Sequence, residues 1–284
     1  MSALPGPLAA STEGVETPPL LEVRGVSMVF GGLLALNNVH TRVLPGQIKA
    51  IIGPNGAGKT TLFNIVTGIY APTQGEVFFK GEPIQGLKPH AIAARGITRT
   101  FQTIRLFHGM TALENVMVGL HRHTRAGFIH AALRLPLARH EERRMREQAM
   151  DLLDRVGLAH VAEEEATHLP FGVQRVLEVA RALATRPDLL ILDEPASGLN
   201  ESEGRRLMAL LREIRDEGTT ILLVEHDMEL VMELAEEILV LVYGTPIAEG
   251  PPAAIRRHPE VIAAYLGDEE LFVEPSLGRR MQEA

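Results

Sequence analysis

A glycine-rich loop set between a strand and a helix is the feature that most constrains this chain of 284 residues. The apolar run from Ile48 to Ile52 predicts a buried strand, and Leu62 to Val66 predict a helix. The segment between them fits the pattern G-x-x-x-x-G-K-[ST], which binds phosphate when a strand precedes it and a helix follows. The loop consists of Gly53, Pro54, Asn55, Gly56, Ala57, Gly58, Lys59, Thr60 and Thr61.

The residue types in this loop suit the binding of a nucleoside triphosphate together with Mg²⁺. Glycines let the backbone turn successive N–H groups inward, toward phosphate oxygens. The following helix adds a partial positive charge of roughly half a unit at its N-terminus. We expect Lys59 to reach the β- and γ-phosphates and the Thr60 hydroxyl to ligate Mg²⁺. The other interpretation, a structural turn rich in glycine, is disfavoured by the flanking strand and helix.

Two carboxylates end a second apolar strand. Leu189 to Leu192 predict a strand buried on both faces, and Asp193 and Glu194 follow it directly. Open α/β sheets bind ligands at the carboxyl ends of their strands, so both carboxylates are expected there. Asp193 suits Mg²⁺ beside Thr60, and Glu194 suits a general base that activates the attacking water. In isolation, the pair would be interpreted as an acidic helix cap. Because a phosphate loop precedes it in the chain, we favour the interpretation as a nucleotide-site pair.

A histidine follows the next predicted strand. Thr220 to Val224 predict that strand, and His226 comes two residues after it. A lone histidine at a strand end is usually structural, but this strand comes directly after the one that carries the carboxylates. We expect His226 to donate to the γ-phosphate and to orient the water. The predicted catalytic residues are therefore Glu194, His226 and Lys59.

Composition excludes several other classes of protein. The net charge of −8 argues against nucleic acid as a partner. The chain has no cysteine, which excludes disulfides and thiolate metal sites and is typical of a cytoplasmic protein. No apolar run approaches the roughly 18 residues of a membrane span, so we expect any membrane association to be peripheral.

The pattern along the chain predicts one folded domain between two tails. Residues 1–20 and 267–284 are expected to be irregular, and residues 21–266 to form the domain. Helical spacing and scarce glycine predict a helical subdomain inserted at about residues 108–169. The predicted fold class is α/β: a phosphate-loop NTPase core of the RecA-like type with a mainly parallel sheet. A small antiparallel β subdomain, including strands at Leu21–Phe30 and Val39–Val43, is expected near the N-terminus.

The segment that opens the predicted helix at about residues 172–184 makes a family resemblance specific. It begins Leu169-Pro170-Phe171-Gly172-Val173-Gln174-Arg175. Together with the phosphate loop and the carboxylate pair, it resembles the nucleotide-binding subunits of ABC transporters over about residues 21–266. The resemblance implies a signature that acts in trans, capping the γ-phosphate of ATP held by a second subunit. The signature residues would be Pro170, Phe171, Gly172, Val173 and Gln174.

The same resemblance implies roles for residues that carry little signal alone. Phe30 would stack on adenine, although an isolated strand aromatic is more often part of the core. Gln102 would contact Mg²⁺ and water and relay to the membrane subunits, although a loop glutamine is usually just solvated. The loop that crosses the dimer interface would comprise Ser197, Gly198, Leu199 and Asn200.

Departures from the family pattern narrow the resemblance to one branch. Pro170, Phe171 and Val173 stand where the family has serine, glycine and glutamine, and Asn200 where many relatives have aspartate. The leucine-proline-aromatic-glycine form is similar to the ATP-binding subunits of branched-chain amino acid importers. Val173 departs even from that branch. Residues 99–107 and 244–267 also resemble it.

The resemblance implies that ATP and Mg²⁺ are bound and that hydrolysis drives uptake of branched-chain or related amino acids. The implied partners are a second ABC ATPase subunit, identical or paralogous, two transmembrane permease subunits and, indirectly, a solute-binding protein. The chain would then lie at the cytoplasmic face of the cell membrane as a peripheral subunit.

Three alternatives stay open on the sequence. The cargo could be urea, short amides or exported lipopolysaccharide, because other subunits select it. A soluble ABC ATPase of DNA repair or translation usually has a long coiled coil or tandem ATPase halves, and this chain has neither. A non-hydrolysing regulatory module would fit the altered signature, but Glu194 and His226 speak against it.

Overall fold

The computed structural model describes residues 17–123 and 136–265. The expectations for residues 1–16 and for the tail at 267–284 lie outside these ranges. Within them the chain forms two sheets and nine α-helices. The expected α/β class, with a mainly parallel sheet and an N-terminal antiparallel sheet, is confirmed.

The N-terminal sheet is antiparallel throughout. Its strands are β1 (Leu21–Phe30), β2 (Leu33–Val43), β4 (Gln74–Phe79) and β5 (Glu82–Pro83). They lie in the order β2-β1-β4-β5.

In the second sheet, every pair of neighbouring strands is parallel except the pair at one edge. Its strands are β3 (Ile48–Ile52), β6 (Ile97–Arg99), β7 (Leu189–Asp193), β8 (Thr220–Val224), β9 (Glu237–Val242) and β10 (Thr245–Gly250). They lie in the order β10-β9-β3-β8-β7-β6, and only β10 pairs antiparallel.

Helices cover the parallel sheet and account for most of the described residues between β6 and β7. Among those described residues, three short 3₁₀ turns occur at His121–His123, Ala159–Val161 and Ala166–His168. The α-helices are α1 (Lys59–Val66), α2 (Pro89–Arg95), α3 (Ala112–Leu120), α4 (Pro136–Arg155), α5 (Phe171–Ala184), α6 (Glu201–Asp216), α7 (Met228–Leu234), α8 (Pro252–Ile255) and α9 (Pro259–Tyr265).

Alternate residues of the parallel strands enter two different cores. In β7, Leu189 and Ile191 pack toward the antiparallel sheet and α1, while Leu190 and Leu192 pack toward α5, α6 and α7. Side chains on successive positions of a strand point to opposite faces, so burial on both sides requires an unbroken apolar run. This is why the strands that were easiest to predict from sequence are those in the centre of this sheet.

Helix α5 belongs to two cores at once. Val179 and Leu183 face the parallel sheet, while Leu177 and Ala180 pack with α3 and α4. We call α3, α4 and the three 3₁₀ turns near them the helical segment. Gly119 of α3 makes this contact close, because a β-carbon there would lie 2.4 Å from the Arg181 carbonyl oxygen. The start of α5 is thereby fixed relative to both the sheet and the helical segment.

Four strands differ from the sequence expectation: β2 begins earlier than expected, and β5, β6 and β10 were not predicted as strands. β2 begins at Leu33, not Val39, because Gly31 and Gly32, with φ of 51° and 94°, form a tight turn that lets pairing with β1 start at once. β10 was not predicted as a strand. Tyr243 and Gly244, with φ of 49° and 79°, turn the chain back so that β10 pairs with β9.

Within residues 17–123 and 136–265, no helix combines the length and the apolar character that crossing a membrane requires.

Replacement of Gly119 by alanine tests the close packing of α3 on α5. The added β-carbon would also meet Ala184 Cβ at 2.7 Å, so the two helices must separate. Overpacking typically costs about 1–3 kcal/mol, and alanine gains roughly 1 kcal/mol over glycine in a helix. We therefore expect the free energy of unfolding in urea to fall by a net amount of up to about 2 kcal/mol.

Gly204→Ala in α6 is the matched control. No atom lies within 4 Å of a β-carbon at Gly204. Its substitution should therefore raise stability by up to about 1 kcal/mol through helix propensity alone. A Gly119→Ala protein that gains stability as the control does would contradict the packing argument.

Candidate active site

The order of strands in the parallel sheet brings the predicted site residues to one edge. Strands β3, β8, β7 and β6 are neighbours, and all four point the same way. At their carboxyl ends lie, in that order, the phosphate loop, His226, the pair Asp193 and Glu194, and the segment that leads to Gln102. Residues distant in sequence therefore meet in one place.

The phosphate loop is shaped by close contacts that only glycine permits at two positions. Gly53 has a φ of 150°, and a β-carbon on it would lie 2.0 Å from the Leu241 carbonyl oxygen. Gly58 has a φ of 98°, and its β-carbon would lie 2.7 Å from the Ala35 carbonyl oxygen. The loop is thus pressed against β9 and β2, and α1 begins at Lys59 directly after it.

Lys59 is buried at the start of α1. Its Nζ donates to the carbonyl oxygens of Gly53 at 2.5 Å and Pro54 at 3.1 Å. Burial lowers the pKa of Lys59 below its ordinary value, while the negative charges of Glu194 and Asp193 act in the opposite direction. The ammonium therefore lies in the field of both carboxylates, at the loop where phosphate would bind.

Both carboxylate oxygens of Glu194 have a partner. Gln102 Nε2 donates to Oε2 at 2.7 Å, and His226 Nε2 lies 2.6 Å from Oε1, where a protonated ring nitrogen donates. Glu194 also has a φ of 50°, a left-handed conformation that costs a non-glycine residue on the order of 1–3 kcal/mol. Such strain occurs most often at functional sites. In this conformation the carboxylate lies between Gln102, which follows β6, and His226, which follows β8.

Asp193 is held by a residue to which sequence reasoning gave no role. Arg99 Nη2 donates to Asp193 Oδ2 at 2.6 Å, and the two side chains are only 6% and 8% exposed. Arg99 ends β6, three residues before Gln102. The sequence shows an arginine in a stretch similar to one branch of a family, but it does not show that β6 and β7 are neighbours.

The oxygen groups at this edge fit Mg²⁺. Thr60, Asp193 and Gln102 offer a hydroxyl, a carboxylate and an amide oxygen, which are hard ligands. Gln102 uses its amide nitrogen toward Glu194, which leaves its amide oxygen as the possible ligand. Within the described residues, no group of three or more histidine or acidic side chains could hold a metal ion by itself.

Phe30 lies at the surface and not in the core. It is 38% exposed at the end of β1 and makes an edge-to-face contact with Tyr70, with ring centroids 5.2 Å apart. Tyr70 is equally exposed and was not singled out from the sequence. The interpretation of Phe30 as a core aromatic is therefore wrong, and an exposed pair of rings is free to stack on a base.

The signature residues open α5, with Pro170 as its N-cap. A β-carbon on Gly172 would lie 2.5 Å from Glu203 Oε1, so a larger residue at this position would require the Glu203 carboxylate to shift. Gln174 Nε2 donates to the Leu169 carbonyl oxygen at 2.7 Å, and Val173 packs on the core of the helical segment. Gln174 and Val173 are thus engaged within their own subunit.

The segment from Ser197 to Asn200 contacts the signature of the same chain. Gly198 has a φ of 80°, and a β-carbon there would lie 2.8 Å from the Phe171 ring. Asn200 caps α6: its Oδ1 accepts from the Glu203 backbone N–H at 3.0 Å, and Glu203 Oε2 accepts from the Asn200 N–H at 2.9 Å. Asparagine is as good an N-cap as aspartate, so this departure keeps the helix start intact.

Two further buried side chains connect the start of α5 and the segments that follow β6, β7 and β8. Arg175 donates to the carbonyl oxygens of Phe101 at 3.2 Å and Gln102 at 2.9 Å, linking α5 to the loop after β6. Glu225 accepts from the Ala196 N–H at 2.6 Å, and burial raises the pKa of Glu225. Both residues adjoin predicted motifs, but their partners follow from the tertiary structure alone.

Comparisons with known proteins agree with this geometry. The family model described as ABC transporter matches residues 36–197, and the model described as Branched-chain amino acid ATP-binding cassette transporter matches residues 245–270. The high-affinity branched-chain amino acid transport ATP-binding protein BraF of Pseudomonas aeruginosa is 49% identical over 251 residues, which are 88% of this chain and 98% of that protein.

Two solved structures show the same fold. One is the ADP conformation of MJ1267, an ATP-binding cassette of an ABC transporter, with a TM-score of 0.78 and 30% identity over 89% of this chain and 100% of that one. The other is a dimeric structure of MJ0796, a bacterial ABC transporter cassette, with a TM-score of 0.70 and 28% identity over 82% and 98%. With its fold, its loops and its sequence in agreement, this chain belongs to the ABC transporter family as an ATP-binding ATPase subunit.

Proposed function

We propose that this subunit hydrolyses MgATP at the carboxyl end of its parallel sheet to energise import of branched-chain or related amino acids. One observation carries the hydrolytic part: the Glu194 carboxylate lies between Gln102 and His226 at the phosphate-loop edge of the sheet. The cargo is inferred from the name of the relative BraF and from the match of residues 245–270.

In this proposal the phosphate loop binds the triphosphate through its backbone N–H groups and Lys59. The ammonium exchanges the carbonyl oxygens of Gly53 and Pro54 for phosphate oxygens as ATP binds. Thr60, Asp193 and Gln102 would hold Mg²⁺, and the ion would neutralise part of the negative charge of the phosphates. Phe30, with Tyr70 beside it, stacks on adenine.

Glu194 acts as the general base toward water. Gln102 and His226 hold its two oxygens, and this fixes the direction in which the carboxylate can accept a proton. His226 lies on the neighbouring strand end, from which it also donates to the γ-phosphate. His226 is 45% exposed in its side chain, so it is accessible to a bound nucleotide.

The active unit in this proposal is a head-to-tail pair of ATPase subunits. The signature, Pro170 to Gln174, faces the ATP of the partner through Phe171, Gly172 and the N-terminus of α5. Phe171 is 49% exposed, and a related cassette has been solved as a dimer, which support this arrangement. Ser197 to Asn200 would then lie at the interface. Whether the partner is identical or a paralogue is left to experiment.

The permease subunits are proposed to dock beside Gln102. A groove between the parallel sheet and the helical segment is lined by exposed Phe101 and Phe107, with Arg105 and Arg122 at its walls. Aromatic rings next to guanidinium groups suit an amphipathic helix with acidic residues. Two such permease subunits, served indirectly by a solute-binding protein, would place this chain at the cytoplasmic face of the membrane as a peripheral subunit.

Glu194→Gln tests the assignment of the base. Glutamine keeps the shape and the hydrogen-bonding reach of the side chain but cannot accept the proton. We expect phosphate release to fall by about 100-fold or more, while the affinity for a fluorescent ATP analogue is retained and the protein dimerises with MgATP in gel filtration. Glu82→Gln, at an exposed position of β5, is the control and should hydrolyse ATP normally. Normal turnover in Glu194→Gln would exclude this base and favour a different route to water activation.

Lys59→Ala tests the phosphate loop. The ammonium is the charge of the loop that reaches the phosphates, so its loss should weaken ATP binding by about 30-fold or more. Lys80→Ala removes a surface ammonium paired with Asp188 and should leave the dissociation constant unchanged. Equal affinities of the two variants, measured by equilibrium titration, would count against the role of Lys59.

The cargo is tested by isolating the assembly and measuring its transport. The Glu194→Gln chain, captured from solubilised native membranes with MgATP, should bring two multi-span subunits and a second ATPase. The unaltered assembly, reconstituted with its solute-binding protein in proteoliposomes, should then import labelled leucine, isoleucine or valine. Import of urea or short amides alone, or export of lipopolysaccharide, would replace the cargo assignment and keep the ATPase. Capture of only soluble DNA-repair or ribosomal factors would overturn the transporter assignment.

A further inference from the structure

We propose that Arg99 is a positioning residue that fixes the Asp193 carboxylate and thereby sets the affinity of the nucleotide site for Mg²⁺. The inference rests on the proposed role of Asp193 in holding the ion. It adds to that role a second residue that touches neither nucleotide nor metal and acts through Asp193.

The first argument is that Arg99 bridges two elements that must keep a fixed distance. Nη2 donates to Asp193 Oδ2 at 2.6 Å, at the end of β7. Nη1 donates to Asn64 Oδ1 at 2.7 Å, on α1. Helix α1 begins with Lys59 and Thr60, so the guanidinium connects the helix that carries one predicted metal ligand to the strand that carries another.

The second argument is the geometry of the side chain. The guanidinium is planar and presents its N–H groups in a fixed fork, so two acceptors on different elements are held in one plane. Its central carbon lies 5.4 and 5.2 Å from the ring centroids of Phe63 and Phe101, so both rings contact the guanidinium. A lysine offers a single rotating ammonium and cannot reproduce this arrangement.

The third argument is that the contact leaves Asp193 suited to a metal ion. Arg99 engages Oδ2, which leaves Oδ1 as the oxygen available to Mg²⁺ in the proposed site. Gln102, three residues further along the same segment, holds the adjacent Glu194 in a comparable way. The end of β6 and the loop after it therefore orient both carboxylates at the end of β7.

Positioning and simple charge make opposite predictions. A nearby guanidinium repels Mg²⁺, so if its charge were the main effect, Arg99→Met would tighten Mg²⁺ binding and Arg99→Lys would change little. If Arg99 acts by positioning, both variants free the carboxylate and both weaken binding. Loss of an outer-shell partner typically costs about 10–100-fold in metal affinity.

The experiment measures Mg²⁺ affinity without catalysis. Each full-length variant is mixed with the non-hydrolysable analogue AMP-PNP, and the melting temperature is followed as Mg²⁺ is added. We expect the Mg²⁺ midpoint to rise about tenfold or more in Arg99→Met and Arg99→Lys. AMP-PNP affinity in EDTA should stay within about twofold of the parent, because phosphate-loop contacts remain. Asn64→Ala removes the second acceptor and should raise the midpoint by a smaller factor, and it tests the idea even if Arg99→Met does not fold.

Two controls separate the possible failures. Lys49→Met removes another buried cation, paired with Glu249 and remote from the nucleotide loops, and should lower the melting temperature without moving the Mg²⁺ midpoint. Asp193→Asn must raise the midpoint, and if it does not, the proposed metal role of Asp193 fails. If Asp193→Asn raises it while Arg99→Lys and Asn64→Ala leave it unchanged, or if Arg99→Met lowers it, the positioning role of Arg99 is overturned and that of Asp193 stands.

Discussion

The burial of β3 in the middle of a sheet covered on both faces is the constraint on which the rest of this structure depends. Ile51 packs into one core and Ala50 and Ile52 into the other, so the strand cannot shift without exposing apolar surface on both sides. The phosphate loop leaves the end of this strand, and Gly53 is already within van der Waals contact of β9. The position of the phosphate-binding N–H groups is therefore set by packing, before any ligand binds.

Polar contacts then link the loops that surround this fixed point. Gln102 and His226 hold Glu194, Arg99 holds Asp193, and Arg175 holds the backbone of Phe101 and Gln102. Because Arg175 lies on α5, a movement of the helical segment is transmitted to Gln102 through hydrogen bonds of 2.9–3.2 Å. The Nε atoms of Arg99 and Arg175 are buried without a hydrogen-bond partner, so the bonds made by their terminal nitrogens are the ones that offset the cost of burying each guanidinium. In the proposed function, these bonds would couple motion at the permease groove to the orientation of Glu194 within one chain.

The sequence predicted those parts of the site whose residue pattern has a local cause. The phosphate loop needs glycines at fixed offsets, and a carboxylate pair after an apolar strand must lie at a strand end. Both features were therefore recognisable without knowing which elements lie beside them in space. Arg99, Tyr70 and Glu225 were missed because their partners belong to other elements, and strand order cannot be read from the order of the chain. β10 was missed for a related reason: its edge position requires no continuous apolar run. The contacts of Arg99 needed the knowledge that β6 lies beside β7.

The altered signature is consistent with an active ATPase when each departure is considered with its contacts. Val173 replaces a polar side chain, but it packs on the helical core, and Gln174 is turned to the backbone before α5. Neither side chain is needed to present the N-terminus of α5, whose free N–H groups and dipole can bind an anion by themselves. Gly172 lies against the Glu203 carboxylate, and the Phe171 ring packs close to Gly198 in the loop proposed to lie at the interface. Closure over the ATP of a partner would therefore depend on the backbone of the signature and on the loop beneath it, and less on the identity of the side chains that differ.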